Sequence, residues 1–89
     1  MEACELEIVN KLGLHARAAA QLVRTAGNFG SEIRIEGNGA EADAKSIMSV
    51  MMLAASRGSR IRVTAEGEDA AEAIEAITRL IADRFGEDE

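Results

Sequence analysis

The 89-residue sequence has no proline, no tryptophan and no tyrosine, and it holds one cysteine, one histidine and two phenylalanines. With so few aromatics the core must be aliphatic, and an apolar content of 47% supplies one modest core, in keeping with a single domain over residues 1–89. Lone Cys4 rules out an intramolecular disulfide. No Cys or His spacing around it suggests zinc, so it reads as a plain buried thiol, and no metal or cofactor is expected. No run approaches the roughly 18 to 20 apolar residues that span a bilayer. The opening "MEACELEIVN" is acidic where a secretory signal would start basic and turn apolar, so a cytoplasmic protein without membrane association is expected. Ten Lys and Arg stand against sixteen Asp and Glu, a net charge of -6. Nucleic-acid binding selects a basic face that releases counterions, so the partners are expected to be proteins.

What is present carries two periods. Cys4, Leu6 and Ile8 alternate with Glu5 and Glu7, as in a half-buried strand. Ala16, Ala19, Ala20, Val23 and Ala26 recur at helical spacing, with Gly27 available as a left-handed cap. Ile33 and Ile35 alternate with Glu32, Arg34 and Glu36 before Asn38-Gly39, a hairpin signal. A short helix follows between Ser46, a candidate N-cap, and Gly58, a candidate stop. Val50, Leu53 and Ala54 can share its core face, but Met48, Met51 and Met52 cannot all be buried with them, so some methionine must face solvent. Ile61, Val63 and Ala65 mark a fourth strand. Asp69 and Glu72 have capping-box spacing ahead of a last helix with Ala73, Ile74, Ile77, Leu80 and Ile81 as its buried stripe. Only the terminal "GEDE" reads as a solvated tail. The order is βαββαβα, and the class is α+β.

"GLHARAAAQL" sets His15 just ahead of the first helix, with Arg17 two places on. Unpaired amides and the positive end of the helix dipole converge there and favour an approaching anion. Arg17 adds a permanent charge with donors suited to phosphate oxygens, and neutral imidazole is a nucleophile able to form a phosphoramidate. Spacing alone is also satisfied by an exposed His and an unrelated surface Arg. Ser46, likewise, needs no role beyond capping a helix.

"GLHARAAAQLV", "AKSIMSVMML" and "VTAEGEDAAEAI", in this order and over nearly the whole chain, resemble HPr, the histidine-containing phosphocarrier family of the bacterial phosphoenolpyruvate-dependent phosphotransferase system. The resemblance implies an open-faced β-sandwich, a four-stranded antiparallel sheet with three helices on one face. It implies that His15 is phosphorylated through Nδ1, that Arg17 supports the phosphoryl group, and that Ser46 is a regulatory serine phosphorylated by a dedicated kinase. The expected function is a phosphoryl carrier, not an enzyme. It would be charged by the phosphoenolpyruvate-using first enzyme and discharged to a downstream A-domain protein, for sugar uptake or regulation, and it is expected to act as a monomer. Ala16, Ala20, Arg24, Ile47, Met48, Met51 and Met52 form the expected partner-binding surface. The sequence departs from common family forms at Leu12, Ala18 and Ala54, where Asn, Pro and Gly are frequent. "HARAA" is also similar to the regulatory, nitrogen-type branch, which has no sugar permease downstream. An acylphosphatase-like hydrolase is the alternative of another class, without the phosphate loop such a fold needs, and a plain interaction module using only the Met-rich helix is a third.

Overall fold

A computed structural model describes residues Met1–Glu89. The elements are β1 (Glu2–Glu7), α1 (Ala16–Ala26), β2 (Glu32–Gly37), β3 (Ala40–Asp43), α2 (Ile47–Met52), β4 (Arg60–Glu66) and α3 (Ala70–Ala82), closed by a 3₁₀ turn at Arg84–Gly86. The strands form one antiparallel sheet in the order β1-β4-β2-β3. Val63 is its central position, paired with Cys4 on one side and Ile35 on the other. Alternation along each strand sends Ile33, Ile35, Ile61, Val63 and Ala65 to the helix-covered face and leaves Glu5, Arg34, Glu36, Arg60 and Arg62 exposed. Asn38 and Gly39, with φ of 51° and 77°, make the tight turn expected between β2 and β3. Cys4 is only half-buried, its Sγ 3.8 Å from Thr78 Oγ1.

The helices differ from their sequence reading in ways that tertiary packing explains. In α1 the buried stripe is Ala18, Ala19, Leu22 and Ala26, while Ala16 is exposed and Ala20 and Val23 are half-buried. In a helix this rich in alanine Leu22 is the largest apolar side chain, and its burial decides the face. Gly27 is right-handed, at φ -65°, and its N–H donates to the Val23 carbonyl at 2.9 Å. The helix therefore ends without a left-handed cap.

Gly58 does not stop α2. The helix closes at Leu53, and the next residue, Ala54, turns left-handed at φ 51° and points to solvent instead of joining the core; Ala55 is buried in its place. The Asn38 amide donates to the carbonyls of Leu53 (2.8 Å) and Ala54 (3.1 Å), so the hairpin turn caps the end of this helix.

Asp69 precedes α3 but makes no capping bond within it. Its carboxylate reaches back to the α1–β2 loop, accepting from the Gly30 N–H at 2.9 Å, from the Ser31 N–H at 3.0 Å and from the Ser31 hydroxyl. Of the expected α3 stripe, Ala73, Ile77 and Ile81 are buried, and Ile74 and Leu80 are half-buried.

The closing segment is the largest correction. Arg84 and Phe85 both hold φ of 55°, which turns the chain sharply and seats Phe85, 4% exposed, in the core. Left-handed backbone at two consecutive non-glycine residues persists only where the surroundings enforce it. The burial of Phe85 among aliphatic side chains does so, and it carries Glu87 back over the start of α1.

Candidate functional site

The site begins with the approach to α1. Asn10, fully buried, donates from Nδ2 to the Gly13 carbonyl at 2.8 Å, which closes the loop between β1 and α1. Gly13 takes φ 65° against the backbone of Ala55 and Ser56, and the Leu14 N–H donates to the Ala55 carbonyl at 2.9 Å. Leu14 is buried, so the next residue, His15, is delivered to the N-cap of α1 in extended conformation.

Both edges of the His15 ring have partners. The Arg17 N–H is directed at Nδ1, 3.4 Å away, and Nε2 lies 2.5 Å from Glu87 Oε2. Glu87 Oε1 accepts from Asn10 Nδ2 at 3.0 Å. Burial would raise the Glu87 pKa, but the bonds from Asn10 and His15, with the charges of His15 and Arg17, outweigh it and hold the carboxyl below its usual range. Glu87 is thus a carboxylate at neutral pH.

Arg17 is exposed, and no acidic residue occupies the first turn of α1. The Nδ1 edge of the ring faces the backbone amide of Arg17 at the N-terminus of α1, the end of a helix that favours an anion. Lys11, Leu12, His15 and Arg17, with the carboxylates of Glu87, Asp88 and Glu89, border an open cleft of about 550 Å³ at the ring. Leu12, one of the departures noted in the sequence, is 66% exposed and gives the cleft an apolar rim. No cluster of His, Cys, Asp and Glu in the structure has metal-binding geometry.

The remaining expected residues lie on α1 and α2, which pack against each other. Ser46 caps α2, its Oγ accepting from the Ser49 N–H at 3.4 Å, a long bond that leaves the hydroxyl half-exposed. Met48 and Met52 are 66% and 77% exposed, and Ile47 and Met51 less so. Ala16 and Arg24 are exposed and Ala20 is half-buried.

A family model described as the phosphorylation site of the HPr component of the phosphotransferase system matches residues 3–83. The chain belongs to the HPr family. A relative named Phosphocarrier protein HPr, from Cupriavidus necator, is 56% identical over 82 residues, 92% of each chain. A crystal structure of HPr from Thermoanaerobacter tengcongensis superposes with a TM-score of 0.95 at 46% identity over the whole of both chains. That of a Phosphocarrier Protein HPr from Bacillus anthracis gives 0.86 at 42%, covering 90% of this chain and 95% of the other.

Membership in the HPr family makes the fold an open-faced antiparallel sheet with its helices on one side, and it leaves the hydrolase reading without support. Glu87 is the site residue that sequence reasoning missed. Its only local signal was Phe85, one of two aromatics in the chain, set just before a glycine.

Proposed function

We propose that this chain is a cytoplasmic phosphoryl carrier of a phosphoenolpyruvate-dependent phosphotransferase system, acting as a monomer. His15 accepts the phosphoryl group through Nδ1 from the phosphoenolpyruvate-using first enzyme and passes it to a downstream A-domain protein. Arg17 steadies the phosphoryl oxygens. Ala16, Ala20 and Arg24, with Ile47, Met48, Met51 and Met52, form the surface on which both partners dock in turn, and Ser46 is the regulatory phosphorylation site at its edge.

The observation that carries this reading is the Nδ1 edge of His15. Its lone pair lies toward the N-terminus of α1, where the Arg17 N–H is directed at it and the Arg17 side chain borders the same cleft. Charge-assisted bonds of that kind contribute about 1.5 to 3 kcal/mol each, which favours a phosphoryl group at this position. The exposed methionines support docking, because flexible thioethers adapt to more than one partner.

The test is incubation with phosphoenolpyruvate and the cognate first enzyme, followed by intact mass and fragmentation. One acid-labile phosphoryl group on His15 is expected. His15→Ala should take up none, since the chain has no other imidazole, and Arg17→Ala should slow uptake while leaving the fold intact. Normal uptake by His15→Ala would end the proposal. Uptake without transfer to any permease component would assign the chain to the regulatory branch, which the Ala18 form of the motif resembles.

A further inference from the structure

Glu87 sits in a segment whose sequence is that of a solvated tail, yet its side chain is 15% exposed, less than the 29% of His15. It is held from both ends. Asn10 Nδ2 donates to Oε1, and the same Asn10 is pinned by its bond to the Gly13 carbonyl. The two edges of the His15 ring then have fixed roles. A backbone N–H can only donate, so Nδ1, facing the Arg17 amide, presents its lone pair; a carboxylate can only accept, so Nε2, facing Glu87, carries the proton. One neutral tautomer satisfies both edges.

We infer that Glu87, held by Asn10, is a positioning residue for phosphoryl transfer at His15: it keeps the imidazole proton on Nε2 and stabilises the positive charge the ring acquires as Nδ1 bonds to phosphorus. The inference rests on His15 being the phosphoryl acceptor. In the step, the Nδ1 lone pair forms the N–P bond while the bond from phosphorus to the phosphorylated donor protein breaks, its electron pair leaving with the donor. The Nε2 proton stays in place. The ring passes from neutral imidazole to phosphoimidazolium, and the carboxylate at Nε2 passes from orienting acceptor to counter-charge. A bond that strengthens as charge develops lowers the barrier more than it tightens binding, and a carboxylate behind a catalytic histidine acts by the same logic. The contact also favours the phosphorylated carrier over the free one.

The tautomer is read from the ring ¹⁵N shifts of the unphosphorylated protein, where a single histidine makes the assignment unambiguous. Wild type should show the proton on Nε2. Glu87→Gln keeps the shape but can turn an NH₂ toward Nε2, which moves the ring proton toward Nδ1. A chain ended after Gly86, with Phe85 still in place, should give a mixture of tautomers. Both variants should keep the wild-type amide spectrum for α1 and the sheet. Both should be phosphorylated by the first enzyme about tenfold more slowly, equivalent to about 1.4 kcal/mol, through kcat and not through KM for the carrier. Ring shifts identical to wild type would overturn the role, as would altered shifts with an unaltered rate. Absence of phosphoryl uptake at His15 in the wild type would instead overturn the functional reading, and this inference with it.

Discussion

Gly13 shows how closely the site depends on one backbone conformation. At its φ of 65°, a Cβ would stand 2.5 Å from the Ala55 carbonyl oxygen and 2.8 Å from Ser56 Cα. Both are backbone atoms, so Gly13→Ala can be accommodated only by moving the strand of chain that carries Leu14 and His15. Left-handed backbone alone costs a non-glycine residue about 1 to 2 kcal/mol, and the clash adds to it. Gly13→Ala should therefore destabilise by more than about 2 kcal/mol in urea denaturation and slow phosphoryl uptake; an unchanged midpoint would mean that the loop is soft. Ala54 is the converse, a left-handed residue that carries a side chain, and it is exposed, so no packing is lost with its methyl group. Relief of about 1 to 2 kcal/mol of strain, less about 0.4 to 1 kcal/mol for the freer unfolded chain, leaves a net gain. Ala54→Gly should be more stable by about 0.5 kcal/mol, with a higher melting temperature as the check.

The elements meet through a few polar staples, and Asp69 is the clearest of them. Its carboxyl is held below the usual range by the Ser31 hydroxyl first and by the Gly30 N–H next, against burial, with the Ser31 N–H adding to them. A depressed folded-state pKa contributes stability that is present above the ordinary carboxylate value and lost as pH falls through the lowered one. Urea midpoints should hold steady from neutral pH down to the ordinary carboxylate range and then fall. Asp69→Asn should be less stable at neutral pH and show a shallower fall in acid; the residual slope belongs partly to Glu87, whose carboxyl is depressed too. Equal slopes for the two proteins would remove Asp69 from the acid response. This staple also marks where sequence reading stopped. The alternation of Ile33 and Ile35, the period of Ala73, Ile77 and Ile81, and Asn38-Gly39 are local signals, and the elements they imply are present. Asp69 at capping spacing, Gly58 as a stop and Gly27 as a left-handed cap are local signals too, but ends of helices answer to partners far along the chain: Ser31 for Asp69, Asn38 for α2. At the site, spacing alone leaves His15 and Arg17 open to being an unrelated surface pair and the resemblance to the HPr family singles them out, whereas Glu87 depends on the unusual turn at Arg84 and Phe85, which no periodicity encodes.

For the molecule as a whole, α1 packs against α2, and the proposed docking surface draws on both helices of a chain whose net charge is -6. Met48, 66% exposed, and Leu53, 2% exposed, separate docking from folding. Met48→Asp should weaken partner binding and shift stability by no more than about 0.5 kcal/mol, while Leu53→Asp buries a charge and should unfold the domain; similar denaturation curves for the two would return Met48 to the core and remove the patch. Ser46 is proposed to stand at the edge of that surface, and its cap bond to the Ser49 N–H, at 3.4 Å, is a long one. A phosphate there adds about -1.5 to -2 charges. The donor that complements Arg17 and Arg24 is expected to be acidic, and like charges brought together across an interface can cost several kcal/mol. Ser46→Asp, with a single charge, should therefore slow phosphorylation of His15 without altering the fold. Because the opposing charges meet at a wet rim, the slowing should shrink as ionic strength rises and the Debye length contracts from about 10 Å at 0.1 M to about 3 Å at 1 M. The rate of His15 phosphorylation for wild type and Ser46→Asp, at low and at high salt, decides between mechanisms. A deficit that persists undiminished at high salt would mean that Ser46 acts through shape, and equal rates at both salts would leave Ser46 as a helix cap alone.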